Sequence, residues 1–223
     1  MTEPKPGTTM AKPSFSLRED DLVTLLVGLD EQKFVVHKSC ITRTSDFSKA
    51  AMKEEWTEGQ TRIVKLPEET CIESFLNYLN YAYHKKLPTE DVQIRADGGF
   101  AESPYGELAN IYVIGERMLD QSLKNAVARE YARLASIQSS NGSHGYPGQQ
   151  CITRIYEGTT RGSPMRRMMV DFAVTHGNAQ WPYKGQHTEF LEELTEQLQR
   201  KIMAQKEVRD FRLHDLVAED YFV

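Results

Sequence analysis

The residues best suited to covalent or metal chemistry in this chain are three cysteines, Cys40, Cys71 and Cys151, and a lone histidine, His37, at the end of an apolar run. A nucleophilic thiol needs a base held beside it, and a structural zinc needs four Cys or His ligands at close, paired spacings. The cysteines are odd in number and far apart, and no such ligand set is spelled out around them or around His37. They read as the reduced thiols of an intracellular protein, nuclear or cytoplasmic. Other chemistries lack their local signatures. There is no G-x-S-x-G nucleophile elbow, no GxGxxG and no GxxxxGK[ST], so no phosphate cradle is expected and Gly98-Gly99 is a loop pair. The Arg166-Arg167 pair reads as the solvated face of a helix. The expectation is a non-catalytic chain with no cofactor and no bound metal, with an enzyme kept as the least supported alternative.

Composition narrows the partners. Over 223 residues the formal net charge is -5, and basic residues are not interleaved with aromatics, so nucleic acid is not an expected partner. No window approaches the roughly 18 apolar residues of a membrane helix, so no membrane partner is expected. Residues 1–14 hold three prolines and no apolar core, and read as a disordered lead-in. What remains is recognition of other proteins, which depends on the elements that hold exposed side chains in place.

Those elements follow from periodicity. Leu22 to Val27 is a short apolar run closed by Gly28-Leu29-Asp30-Glu31, and Lys33 to His37 answers it as the second strand of a hairpin. Arg62 to Leu66 is a third strand, stopped by Pro67. Thr70-Cys71-Ile72-Glu73 reads as a capping box ahead of a helix over about 71–84. A polar, Gly- and Pro-bearing insertion follows near 89–106. Helical spacing resumes over Leu108–Leu119 and again to Leu134, with Asp120 as the cap of the second helix.

Residues 136–150 read as a linker, and the chain beyond them as a helical extension over 151–223. Ile152, Ile155 and Tyr156, then Met165, Met168, Met169, Phe172 and Val174, form the apolar faces of a helix pair, with Ser163-Pro164 as a start and Gly177 as a stop. A last helix from Thr188 to about Arg209 carries Leu191, Leu194, Leu198 and Ile202, read as packed rather than as a coiled coil. Residues 215–223 either fray or dock.

The order strand, strand, small helices, strand, paired helices is α+β. Within it the text resembles the BTB/POZ domain, in the style of such proteins from filamentous fungi. The residues that carry the likeness are Asp21-Leu22-Val23, Phe34-Val35-Val36-His37-Lys38, Ser45-Asp46-Phe47, Ile63-Val64-Lys65-Leu66-Pro67, Phe75 to Tyr83, and Leu108 to Leu123. They run in the family's order over about residues 20–134, within a domain placed at 15–135.

The resemblance implies a BTB/POZ fold, a small sheet of about three strands with flanking helices, followed by the C-terminal extension, which is similar to the BACK or 3-box helices. It implies a protein-interaction module: an adaptor that docks a cullin scaffold of a ubiquitin ligase or, alternatively, a homo-oligomerising scaffold in transcription or assembly. Cullin-binding members carry an apolar residue, any residue and Glu before the third strand. Here that position holds Trp56-Thr57-Glu58, with Met52 before it and Tyr112 on the adjoining helix. A Trp offers a large rigid anchor and a Glu orients a basic or hydroxyl partner. The alternative is that Trp56 packs on its own domain and Glu58 is a solvated loop acid.

Asp21 and Lys38 match an acid and a base at the centre of dimeric members, where paired charges set register. The dimer's exchanged N-terminal helix would precede Asp21, but Pro4, Pro6, Gly7 and Pro13 interrupt that stretch, so a monomer or a smaller dimer contact stays open. His37, by the same resemblance, is structural, capping and hydrogen-bonding where the second strand meets the first helix.

Overall fold

Strand β1, Leu22–Val27, lies at the centre of a three-stranded sheet. It pairs antiparallel with β2, Gln32–His37, in the register Leu22↔His37 to Val27↔Gln32, and parallel with β3, Ile63–Lys65. The computed structural model describes residues 22–89, 92, 100, 103–138, 142, 144–176, 185–203 and 222. The pleat sends Val23, Leu25 and Val27 into the core and leaves Leu22, Thr24 and Leu26 on the outer face. Gly28 turns the hairpin at φ +76°, a backbone state that costs glycine little, and its carbonyl accepts the Glu31 N–H at 3.1 Å. The strands expected from the apolar runs are present; β2 starts one residue earlier, and β3 starts after Arg62, whose φ of 58° closes the preceding helix.

Three short helices join β2 to β3: α1 (Lys38–Thr42), α2 (Asp46–Ala51) and α3 (Thr57–Thr61). Then come α4 (Ile72–His84), α5 (Tyr105–Arg117), α6 (Gln121–Ala135), α7 (Gln149–Gly158), α8 (Pro164–His176) and α9 (Thr188–Met203). The architecture is mixed α+β, with a three-stranded sheet and nine helices among the described residues. No helix among them is long and apolar enough to cross a membrane.

Helix starts show where local signals held. The Asp120 carboxylate accepts the Leu123 N–H at 2.9 Å and the Thr44 hydroxyl at 2.6 Å, capping α6 as its position predicted. The expected capping box at Thr70 does not form. The Thr70 N–H is tied to the Pro67 carbonyl at 2.9 Å in a turn, which delays the helix by one residue and leaves Cys71 at its N-cap. α8 begins at Pro164 as read, whereas the Gly177 stop, the continuation of α9 towards Arg209 and the lead-in at 1–14 lie outside the described residues. α7 starts at Gln149, inside the stretch read as linker, because only its inner face, Cys151, Ile152, Ile155 and Tyr156, is apolar.

One apolar cluster runs from β1 through α8 to Phe190 and Leu194 of α9. Its axis is α5, enclosed by α4, α6 and α7. A Cβ on Gly158 would stand 2.2 Å from Val113, so glycine lets α7 close on α5. The Tyr131 hydroxyl donates to the Tyr105 carbonyl at 2.9 Å and stands 3.0 Å from Cys151 Sγ, linking α6, α5 and α7. Met165, Met168 and Met169 are all core. Phe222 also packs on the cluster, with the Arg129 guanidinium 4.1 Å from its ring, so this residue of the C-terminal stretch docks.

Arg166 corrects the reading of a solvated arginine pair. It is 4% exposed, with its guanidinium 4.5 Å over the Tyr156 ring, donating to the carbonyls of Tyr156 and Thr159 and paired with Glu189 and Glu193 of α9. A charge is buried here because it is paired and all three guanidinium nitrogens donate hydrogen bonds. Arg167 is exposed, as read.

Candidate partner-binding surface

The corner between α2 and β3 is built by backbone bonds in a short stretch. Met52 closes α2 with its N–H on the Ser48 carbonyl at 3.1 Å, and its side chain drops into the core. The Lys53 carbonyl then accepts the Trp56 N–H at 3.1 Å, and Trp56, in extended backbone, starts α3 by accepting the Gln60 N–H at 3.1 Å. The Gln60 amide reaches back to the Glu54 carbonyl at 3.0 Å. Gly59 makes the fold-back feasible: a Cβ there would lie 2.0 Å from the Lys53 carbonyl oxygen. Arg62 ends α3 with its N–H on the Glu58 carbonyl at 2.8 Å, and the chain enters β3.

The result is a Trp on a fixed backbone with its ring largely free. Trp56 is 57% exposed, and Thr57 and Glu58 beside it are exposed. A solvated Trp costs hydrophobic free energy unless something covers it, which is why such residues anchor interfaces.

Two other residues assigned to this surface are not on it. Tyr112 is 0% exposed, in the middle of α5, with its hydroxyl 3.5 Å from Ser163 Oγ. α7 covers the face of α5 that the resemblance places at a partner, so Tyr112 is a core residue. Met52, buried under its own helix, supports the corner without presenting itself.

Of the proposed self-association pair, Asp21 lies outside the described residues, and Lys38 is the half-buried first residue of α1. Next to it His37 is structural: its backbone N–H donates to the Tyr83 hydroxyl at 2.9 Å, and its Nδ1 lies 2.9 Å from the same oxygen. Its side chain makes no capping bond to α1, and its ring is engaged with Tyr83 instead.

The sequence reading passed over an apolar row on the outer sheet face. Val35 and Ile63 are both exposed and both register with Thr24, one on each side of it. Period-two alternation is the signal that finds them, since both fall on the outward phase of their strands.

Two thiols differ in character. Cys71 is exposed at the start of α4, where the Ser74 N–H and then the Glu73 N–H favour its thiolate against a smaller opposing effect of burial, holding its pKa below the usual thiol value. Burial pushes Cys151 up to about 12, with the Tyr131 hydroxyl opposing. Among the described residues no group of three or more His, Cys, Asp and Glu is placed to hold a metal ion. Clefts of about 510 Å³ beside Ser103, Gly106 and Gln149 and about 490 Å³ between α8 and α9 are open to solvent. No model of a known protein family matches the chain, and no curated protein does.

Proposed function

We propose that the chain is a non-catalytic protein-interaction module of BTB/POZ type that docks a partner protein at the Trp56-Thr57-Glu58 corner. The observation that carries this reading is Trp56, 57% exposed on a backbone pinned by the Lys53, Gln60 and Gly59 contacts. A preorganised aromatic loses little conformational entropy on binding, and an adjacent carboxylate supplies direction. The sequence resemblance, together with the α+β element order, names the partner class: the N-terminal helices of a cullin scaffold. The chain would then be an adaptor of a ubiquitin ligase. The test is isothermal titration of the full chain with a cullin N-terminal domain. The wild type binds, and Trp56→Ala with Glu58→Ala weakens binding at least tenfold while thermal unfolding is unchanged. Equal affinity for both forms removes the assignment.

A second reading, a self-associating scaffold, is favoured by the exposed Val35 and Ile63 on the outer sheet face. Light scattering over a hundredfold concentration range decides it. A dimer that Val35→Lys dissociates supports this reading, and a monomer throughout discards it.

A further inference from the structure

α9 is attached to the molecule differently from the helices before it. Among the α9 side chains described, Phe190 and Leu194 enter the core, Leu191 is partly covered, and Leu198 is 42% exposed. The rest of the attachment is charge. Arg166 of α8 pairs with Glu189 and Glu193, the Tyr156 hydroxyl of α7 donates to Glu193 at 2.7 Å, and Arg161 stands 3.8 Å from Glu192. Aromatic contacts complete the seat: the Phe190 ring meets Tyr156 edge-on at 5.6 Å, and the His187 ring tilts against it at 5.3 Å.

Something works against this attachment. Gln186 and His187, which lead into α9, bury three polar atoms, the Gln186 amide nitrogen and oxygen and His187 Nδ1, with no hydrogen-bond partner among the described residues. Buried polar atoms without partners penalise the docked arrangement relative to one that returns them to water. Most other parts of the fold carry no such penalty; Ser74 and Tyr78 are the only other described residues that share it.

The seat does not depend on α9 for its shape. Arg166 is held by the Tyr156 and Thr159 carbonyls, by the Thr159 hydroxyl at 3.0 Å and by the Tyr156 ring, all within α7 and the turn after it. With α9 removed, the guanidinium still points its remaining donors at the place where two carboxylates one helical turn apart had been. An arginine fixed in this way is a preorganised donor to carboxylates.

We propose that the α7–α8 face around Tyr156 and Arg166 is a docking site for an acidic amphipathic helix of a partner protein, and that α9 is its resident, displaceable occupant. The partner helix has the chemistry that α9 displays: a carboxylate followed by an aromatic residue, then a carboxylate and an aliphatic residue one turn on, as in Glu189-Phe190 and Glu193-Leu194. The two acids meet Arg166 and the two apolar side chains fill the groove, so charge and shape select the same class of ligand. The site is separate from the Trp56 corner, and its test does not depend on that reading.

The experiment uses the full chain and a fluorescent peptide spanning residues 186–203. Glu189→Gln with Glu193→Gln in the chain weakens the resident helix and leaves Arg166 and the groove in place. Fluorescence anisotropy is expected to show the peptide binding this variant at least tenfold more tightly than wild type, and a peptide with both glutamates changed to lysine not binding. Hydrogen exchange on the unmodified chain is a second measurement that needs no variant. The α9 amides are expected to exchange at least tenfold faster than those of α5 and α6, and faster again at high salt. Equal affinities for the chain and its variant, equal binding of the charge-reversed peptide, or α9 protected as strongly as α6 at all salt concentrations would each overturn the proposal.

Discussion

Cys71 and Cys151 place the same thiol in opposite surroundings, and that difference is open to direct measurement. The reactive species is the thiolate, whose fraction is set by the pKa. At the start of α4 the Ser74 and Glu73 amides stabilise charge on an exposed sulfur, while on the inner face of α7 burial suppresses it on Cys151. Brief alkylation with iodoacetamide at pH 7.5, roughly a unit below the ordinary thiol pKa, therefore labels Cys71 first and leaves Cys151 unlabelled until the protein unfolds. Peptide mass mapping reads the order; early labelling of Cys151 would mean that the inner face of α7 is not packed against the core. The Trp56 corner rests on similarly local detail. Gly59 was an unremarkable letter in the sequence, because the need for it arises from the Lys53 carbonyl, six residues back and across a turn. The exposure of Trp56 was not decided by its type, which equally allowed packing on its own domain. Tyr112 was misread because an aromatic on an amphipathic helix gives no sign of a second layer of helices above it.

Elements divide by how local their determinants are. β1 and β2 were readable because β-branched runs bounded by Gly and Asp leave little choice, and the α6 start was readable because Asp120 stands three residues before the amide that it caps. The α4 start misled, since a tight turn at Pro67 decided the outcome upstream of the capping motif. Arg166 was illegible, because its partners Glu189 and Glu193 belong to another helix. The contact between α6 and Thr89, at the start of the polar insertion, shows what such non-local pairing does energetically. Burial of the Glu130 carboxyl favours its neutral form, but hydrogen bonds from Arg133 and Thr89 outweigh this and lower its pKa. A carboxyl whose pKa is depressed on folding stabilises the protein above its unfolded pKa, and that contribution disappears as pH falls through the folded value. Glu130→Gln should accordingly be less stable than wild type to urea at pH 7, with the gap closing below about pH 4, the ordinary range of a Glu carboxyl. A gap of constant size across that range would show that the ion pair adds nothing to stability.

At the scale of the molecule the decisive feature is that the helices after residue 136 are not an appendage. Ile152, Ile155 and Tyr156 of α7 are as deeply buried as Phe75 of α4 or Leu108 of α5, and they belong to one cluster with the sheet. A polar stretch over 136–150 reads as a linker before a helical extension, because composition reports solvent exposure and not which surfaces meet. Shared burial carries a thermodynamic consequence: elements that lose the same apolar surface on unfolding should unfold together. Ile155→Ala removes a fully buried side chain between α7 and α5 and should cost about 2–5 kcal/mol. If the core is continuous, that loss is felt at β1 and α4 as much as at α7. Hydrogen exchange followed by mass spectrometry at rising urea is expected to show β1, α4, α5 and α7 losing protection in one transition, shifted to lower urea by the same amount in the variant. Loss of protection at α7 ahead of β1 and α4 would instead divide the chain into two units that merely touch.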